Sequence, residues 1–82
     1  MESFSETILV VDDDSDIREV LKDRLESLGY RVLAASRGEE GLELLEKQSP
    51  QMVLLDIEMP GMQGLEVLKE IRRREIDVTV VM

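Results

Sequence analysis

The apolar positions of the chain fall into two kinds of cluster, short unbroken runs and stretches at helical spacing. Their alternation predicts the order of its elements. Residues 7–11, TILVV, form a β-branched run without alternation, as in a strand covered on both faces. Asp14-Ser15-Asp16 follows, with N-cap chemistry and acidic residues suited to the start of a helix. Ile17, Val20, Leu21, Leu25 and Leu28 then recur as one apolar stripe, and Gly29 stands where a left-handed C-cap belongs. A second strand is predicted over 30–35, and Ser36-Arg37-Gly38 reads as a turn. The second helix is predicted over 39–47, with Leu42, Leu44 and Leu45 set among glutamates and Ser49-Pro50 halting it. Met52 to Leu55 reads as a third buried strand. After a loop holding Pro60, Gly61 and Gly64, Leu65, Leu68 and Ile71 mark a third helix running to about Arg74. Val78 to Met82 reads as a fourth strand.

Strand and helix thus alternate three times and close on a strand. Connections of this length between buried-type strands require right-handed crossovers and a parallel sheet, so the fold class is α/β with a doubly wound sheet. A length of 82 residues allows one small domain. With one Phe, one Tyr and no Trp, its core must be aliphatic.

The absence of cysteine excludes disulfides and thiolate sites, and the absence of histidine removes the commonest metal ligand and general base. A formal net charge of −9 repels phosphate backbones and anionic lipid, so neither nucleic acid nor membrane is an expected partner. The one basic cluster, Arg72-Arg73-Arg74, ends the third helix and complements its dipole. The N-terminus, MESFSET, lacks the basic and apolar regions of a signal peptide, and no apolar run approaches a membrane span. A cytoplasmic location is expected.

Two of the buried strands end on carboxylates, the first on Asp12 and Asp13 and the third on Asp56. In an open parallel sheet every strand delivers its last residue to the same edge, where ligands bind. If these two strands are neighbours, the three acids converge. Two carboxylates about 4 Å apart repel by roughly 4 kcal/mol at an effective dielectric of about 20. A hard divalent cation relieves that repulsion, and Mg²⁺ takes such oxygen ligands. A carboxylate beside it can also attack phosphorus. Asp14 and Asp16 read as helix-start acids. The spacing Asp12-x-Asp14-x-Asp16 imitates a calcium-binding loop, but Ile17 occupies the place of its required glycine and Asp23 that of its final glutamate.

The stretches ILVVDDD, GYRVLAASRGEEGLELL, VLLDIEMPGMQGLEVLKEIR and VTVVM together resemble the receiver domain of bacterial two-component response regulators. The resemblance runs from about Thr7 to the last residue. It implies a flavodoxin-like fold of strand order 2-1-3-4-5, of which this chain carries 2-1-3-4. It also implies that Asp56 is the phosphoacceptor, receiving a phosphoryl group from a sensor histidine kinase. By the same resemblance Asp13 is a direct Mg²⁺ ligand, Asp12 acts through water, Asp56 contributes, and the backbone carbonyl of Glu58 completes the set.

Residues 1–6 then read as a tail, and 7–82 as a receiver cut short after its fourth strand. By this resemblance the family's fourth helix, fifth strand and fifth helix are expected to be missing, along with its switch Ser or Thr. The Lys at the end of its fifth strand, which pairs with the phosphoryl group, is expected to be missing too. Lys69, on a helix, cannot replace that lysine. With helices two and three on one face and helix one alone on the other, some of Val53, Leu55, Val78 and Val80 are expected to face water. The fourth strand becomes an open edge. Two functions compete: a phosphoacceptor signalling domain, and a phosphorylation-impaired module that self-associates through the fourth strand and the uncovered face. A hydrolytic enzyme is not expected, since no general base or leaving-group acid can be named.

Overall fold

Thr7–Val11 forms the first strand, β1, and the chain returns beside it twice. A computed structural model describes residues 6–57 and 63–82. After β1 come α1 (Ser15–Ser27), β2 (Arg31–Ala35), α2 (Gly38–Gln48), β3 (Met52–Leu55), α3 (Gly64–Arg73) and β4 (Thr79–Val81). All pairings are parallel and the strand order is β2-β1-β3-β4, as the resemblance implied. Register places Val11 of β1 opposite both Ala35 of β2 and Leu55 of β3. The predicted elements are all present, with ends moved by one or two residues. No helix among the described residues is long and apolar enough to cross a membrane.

The local signals act as chemistry requires. Asp14 caps α1, its Oδ1 accepting from the backbone N–H groups of Asp16 at 2.9 Å and Ile17 at 3.3 Å. The helix ends in a Schellman arrangement. Gly29, at φ +100°, donates to the Glu26 carbonyl at 3.0 Å, and Tyr30 donates to Leu25 at 3.1 Å. Ser49, in the left-handed region, closes α2 before the buried Pro50.

One face of the sheet carries the main core. Leu9, Val11, Val53 and Leu55 pack with Ala35, Leu42, Leu45, Val67 and Ile71 beneath α2 and α3. This corrects the expectation about exposure. Val53 is fully buried and Leu55 is 3 % exposed, while Val78 and Val80 lie half-buried against the same cluster. The cause is strand parity: alternate side chains take opposite faces, and these residues point to the side that holds two helices. The open side instead receives Leu54 and its register partner Val81, with Val81 45 % exposed. In α3 the buried positions are Gly64, Val67 and Ile71, whereas Leu65 points to solvent.

The apolar stripe expected on α1 is only partly used. Leu21 and Leu25 are half-buried, but Ile17, Val20 and Leu28 are exposed, and no residue of α1 is fully buried. Ile8 and Val10, on this side of the sheet, are nevertheless covered.

At the far ends of α2 and α3, Arg74 bridges the helices. It contacts Glu46 at 2.9 Å and Glu70 at 3.0 Å, and Glu70 also receives Arg73 at 2.8 Å. The hydrogen bond from Arg73 is the largest influence on the Glu70 carboxyl, and with Arg74 it lowers its pKa from 4.5 to about 2 against an opposing desolvation effect. A carboxylate with a depressed folded-state pKa stabilises the fold above its unfolded pKa, and that contribution disappears as pH falls through the folded value. In Glu70→Gln, melting temperature should therefore fall less steeply than in wild type as pH drops from the unfolded pKa toward about 2. Parallel curves in thermal melts would show that the network contributes nothing.

Candidate functional site at the carboxyl edge of the sheet

The β1–β3 register creates the site. Past the paired residues Val11 and Leu55, the next positions are Asp12 and Asp56. The ladder runs on by one bond, with the N–H of Asp56 donating to Val11 at 2.9 Å, while Asp12 donates to Ala35 of β2 at 3.1 Å. Each of Asp12, Asp13 and Asp56 offers a carboxylate oxygen, and these oxygens all lie within 4.8 Å of one another. Asp12 and Asp56 are half-buried, and Asp13 is exposed.

The turn into α1 organises these acids. Asp12 Oδ1 accepts from the N–H of Asp14 at 2.9 Å, a local Asx-type bond that lets the chain leave the strand sharply. Asp14 is committed to the helix cap and takes no part in the cluster. The Arg18 guanidinium, half-buried on the first turns of α1, donates from Nη1 to the Asp12 carbonyl at 2.7 Å. On the β3 side, the N–H of Gly64 donates to Ile57 at 2.9 Å. A side chain at Gly64 could not fit. Its Cβ would overlap the Asp56 carbonyl oxygen and lie 2.8 Å from the Ile57 Cα. The start of α3 thus rests directly on the backbone that carries Asp56. Gln63 and Glu66 fasten that start by a reciprocal capping box.

The three acids proposed from the sequence are therefore brought together. Glu58, Pro60 and Gly61 lie outside the described residues. Sequence reasoning missed Arg18 and the Gln63–Glu66 box. The second carried a readable signal, a Gln followed three positions later by Glu. The first carried none beyond its place one turn after an acid-rich strand end.

The donors are all carboxylate oxygens, which suits a hard cation. Opposite ligands of an octahedral Mg²⁺ stand about 4.2 Å apart at bond lengths of about 2.1 Å. Three ligands cannot all stand opposite one another, and adjacent ones lie about 3.0 Å apart. Oxygens spread over as much as 4.8 Å would therefore need to draw in by up to about 2 Å or reach the ion through water. From this cluster a cleft of about 520 Å³ runs along the sheet between α1 and β4, walled by Val10, Leu21, Leu54, Val81 and Met82.

Comparison with known proteins agrees with the geometry. The family model for the response regulator receiver domain matches residues 8–82. The chain belongs to this family. Among curated relatives of the receiver, the probable transcriptional regulator ycf27 of Porphyra purpurea is 46 % identical over all of this chain, which spans 33 % of that protein. Among solved receivers, the response regulator TrrA of Thermotoga maritima, in complex with Mg²⁺ and BeF, superposes with a TM-score of 0.86. It is 47 % identical over 92 % of this chain and 65 % of its own. TrrA bound to the histidine kinase ThkA gives a TM-score of 0.84. Family membership favours the receiver role over the phosphorylation-impaired module.

Proposed function

We propose that this receiver accepts a phosphoryl group on Asp56 from a sensor histidine kinase, with Mg²⁺ held by Asp12, Asp13 and Asp56. The observation that carries the reading is the convergence of three carboxylates at the carboxyl ends of two adjacent strands. The complex of TrrA with ThkA and its Mg²⁺–BeF form support the partner and the cation. A cytoplasmic location fits the same role, and so does the net charge of −9, which disfavours nucleic acid and membrane surfaces.

In this role an Asp56 oxygen attacks phosphorus in line and forms the new P–O bond. The P–N bond of the donor phosphohistidine breaks, and the imidazole leaves with its electron pair. Bound Mg²⁺ supplies charge neutralisation on the transferring group. The protein's own contribution is placement. The β3 ladder and the Gly64 contact fix the Asp56 backbone, so the nucleophile is positioned before the donor arrives. The receiver acts as a phosphoacceptor, not as an enzyme turning over a free substrate. The backbone carbonyl of Glu58 is the remaining ligand in this reading.

Incubation with a small-molecule phosphodonor and Mg²⁺, followed by intact-mass spectrometry, should show one added phosphoryl group that Asp56→Asn abolishes. Folded protein that takes up none, or labelling that survives the substitution, would contradict the assignment.

A second copy of the chain is the further partner we infer. Among the described residues β4 pairs only with β3 and stands at the edge of the sheet, with one side of its backbone facing no described strand. Beside it Val81 and Met82 are 45 % and 46 % exposed, and Leu21 across the cleft is only half-buried. Strand addition at β4 would cover this apolar surface at the same time. Light scattering across a concentration series should show a dimer or larger species, and a folded monomer at every concentration would refute it.

A further inference from the structure

We infer that Arg18 is a positioning residue for the cation site, setting the spacing of Asp12 and Asp13 through the peptide that joins them. The inference rests on the reading of the acid cluster as a Mg²⁺ site.

Asp12 is the last residue held by the sheet, through its N–H to Ala35 at 3.1 Å. Beyond it the chain must swing from strand into helix within two residues, because Asp14 already caps α1. The peptide between Asp12 and Asp13 is planar, so its direction is set by the ψ torsion of Asp12. That torsion aims the Asp12 carbonyl and, on the same plane, places the Cα of Asp13. Together with the Asp14 N–H bond to Asp12 Oδ1 at 2.9 Å, the Arg18 Nη1 bond to this carbonyl, 2.7 Å long and half-buried, fixes it. A charge-assisted bond of that length is among the stronger ones available to a backbone acceptor. The Arg18 backbone is held one helical turn past the cap, its N–H donating to the Asp14 carbonyl at 3.0 Å, and its guanidinium is a planar donor. Arg18 thus holds the one peptide whose flanking side chains are two of the three candidate ligands.

Arg18 also brings a positive charge near the acids, and its two effects on cation affinity have opposite signs. As a positioning group it tightens binding, because the carboxylates need not be reordered when the ion arrives. As a charge it weakens binding by repelling the incoming cation. The bond goes to a neutral carbonyl oxygen, so the structure assigns Arg18 to geometry first. Groups that orient metal ligands commonly change affinity by ten- to a hundredfold when removed.

The test is a Mg²⁺ titration of the chain followed by amide NMR, with wild type, Arg18→Met, Arg18→Lys and Asp13→Asn. Wild type should saturate and Asp13→Asn should not. Arg18→Met, with comparable length and no donor, should stay folded and bind Mg²⁺ about tenfold more weakly. Arg18→Lys, which keeps the charge without the planar fork, should lose part of the affinity. Equal or tighter binding by folded Arg18→Met would overturn the inference, and tighter binding would show that charge prevails. If Arg18→Met does not fold, Arg18→Lys decides alone: weaker binding supports the role and wild-type affinity refutes it. A wild-type protein without saturable binding would remove the cation site itself, and the role of Arg18 with it.

Discussion

The parallel pairing of β1 with β3 is the constraint on which the rest depends. It joins segments more than forty positions apart and sets their ends level, so that Asp12, Asp13 and Asp56 meet. Left to themselves these acids would separate, since each close pair costs a few kcal/mol. The strands beneath them are held by Leu9, Val10, Val11, Val53 and Leu55, all at most 3 % exposed. A buried Val or Leu contributes about 1.5–3 kcal/mol, so the core outweighs the repulsion. The apolar runs therefore stabilise the arrangement that brings the charges together.

The two faces of the sheet divide the work. Beneath α2 and α3 the packing is closed, and the Gly64 contact transmits it to the backbone of Asp56. On the other face α1 covers Ile8 and Val10 but leaves Ile17 and Val20 in water, and a cleft leads from the acids toward β4. Asp12 and Asp56 line that cleft, and Asp13 is exposed beside them.

Much of this was legible before any coordinates. Unbroken apolar runs marked β1 and β3, and Gly29 and Ser49-Pro50 marked helix ends, because each signal is local. The acids were found because strand ends in a parallel sheet share one edge. Which face each side chain takes was less legible. Some of Val53, Leu55, Val78 and Val80 were expected in water, yet parity turns them under two helices and sends Leu54 and Val81 to the open side. In α3 the expected Ile71 is buried, but Leu65 is exposed, and Gly64 and Val67 are the other buried positions. A glycine that lets a helix approach the sheet carries no hydrophobic signal. Arg18 was missed for a similar reason, since its partner is a backbone carbonyl that no sequence pattern displays.

The most direct test uses Mn²⁺ as a paramagnetic substitute for Mg²⁺ and measures the broadening of backbone amides. If β1 and β3 end in one shared site, traces of Mn²⁺ should broaden Asp12, Asp13, Asp56 and Ile57 together, and excess Mg²⁺ should restore all of them. Broadening at one strand end only, or scattered among the glutamates of α2 and α3, would contradict the account.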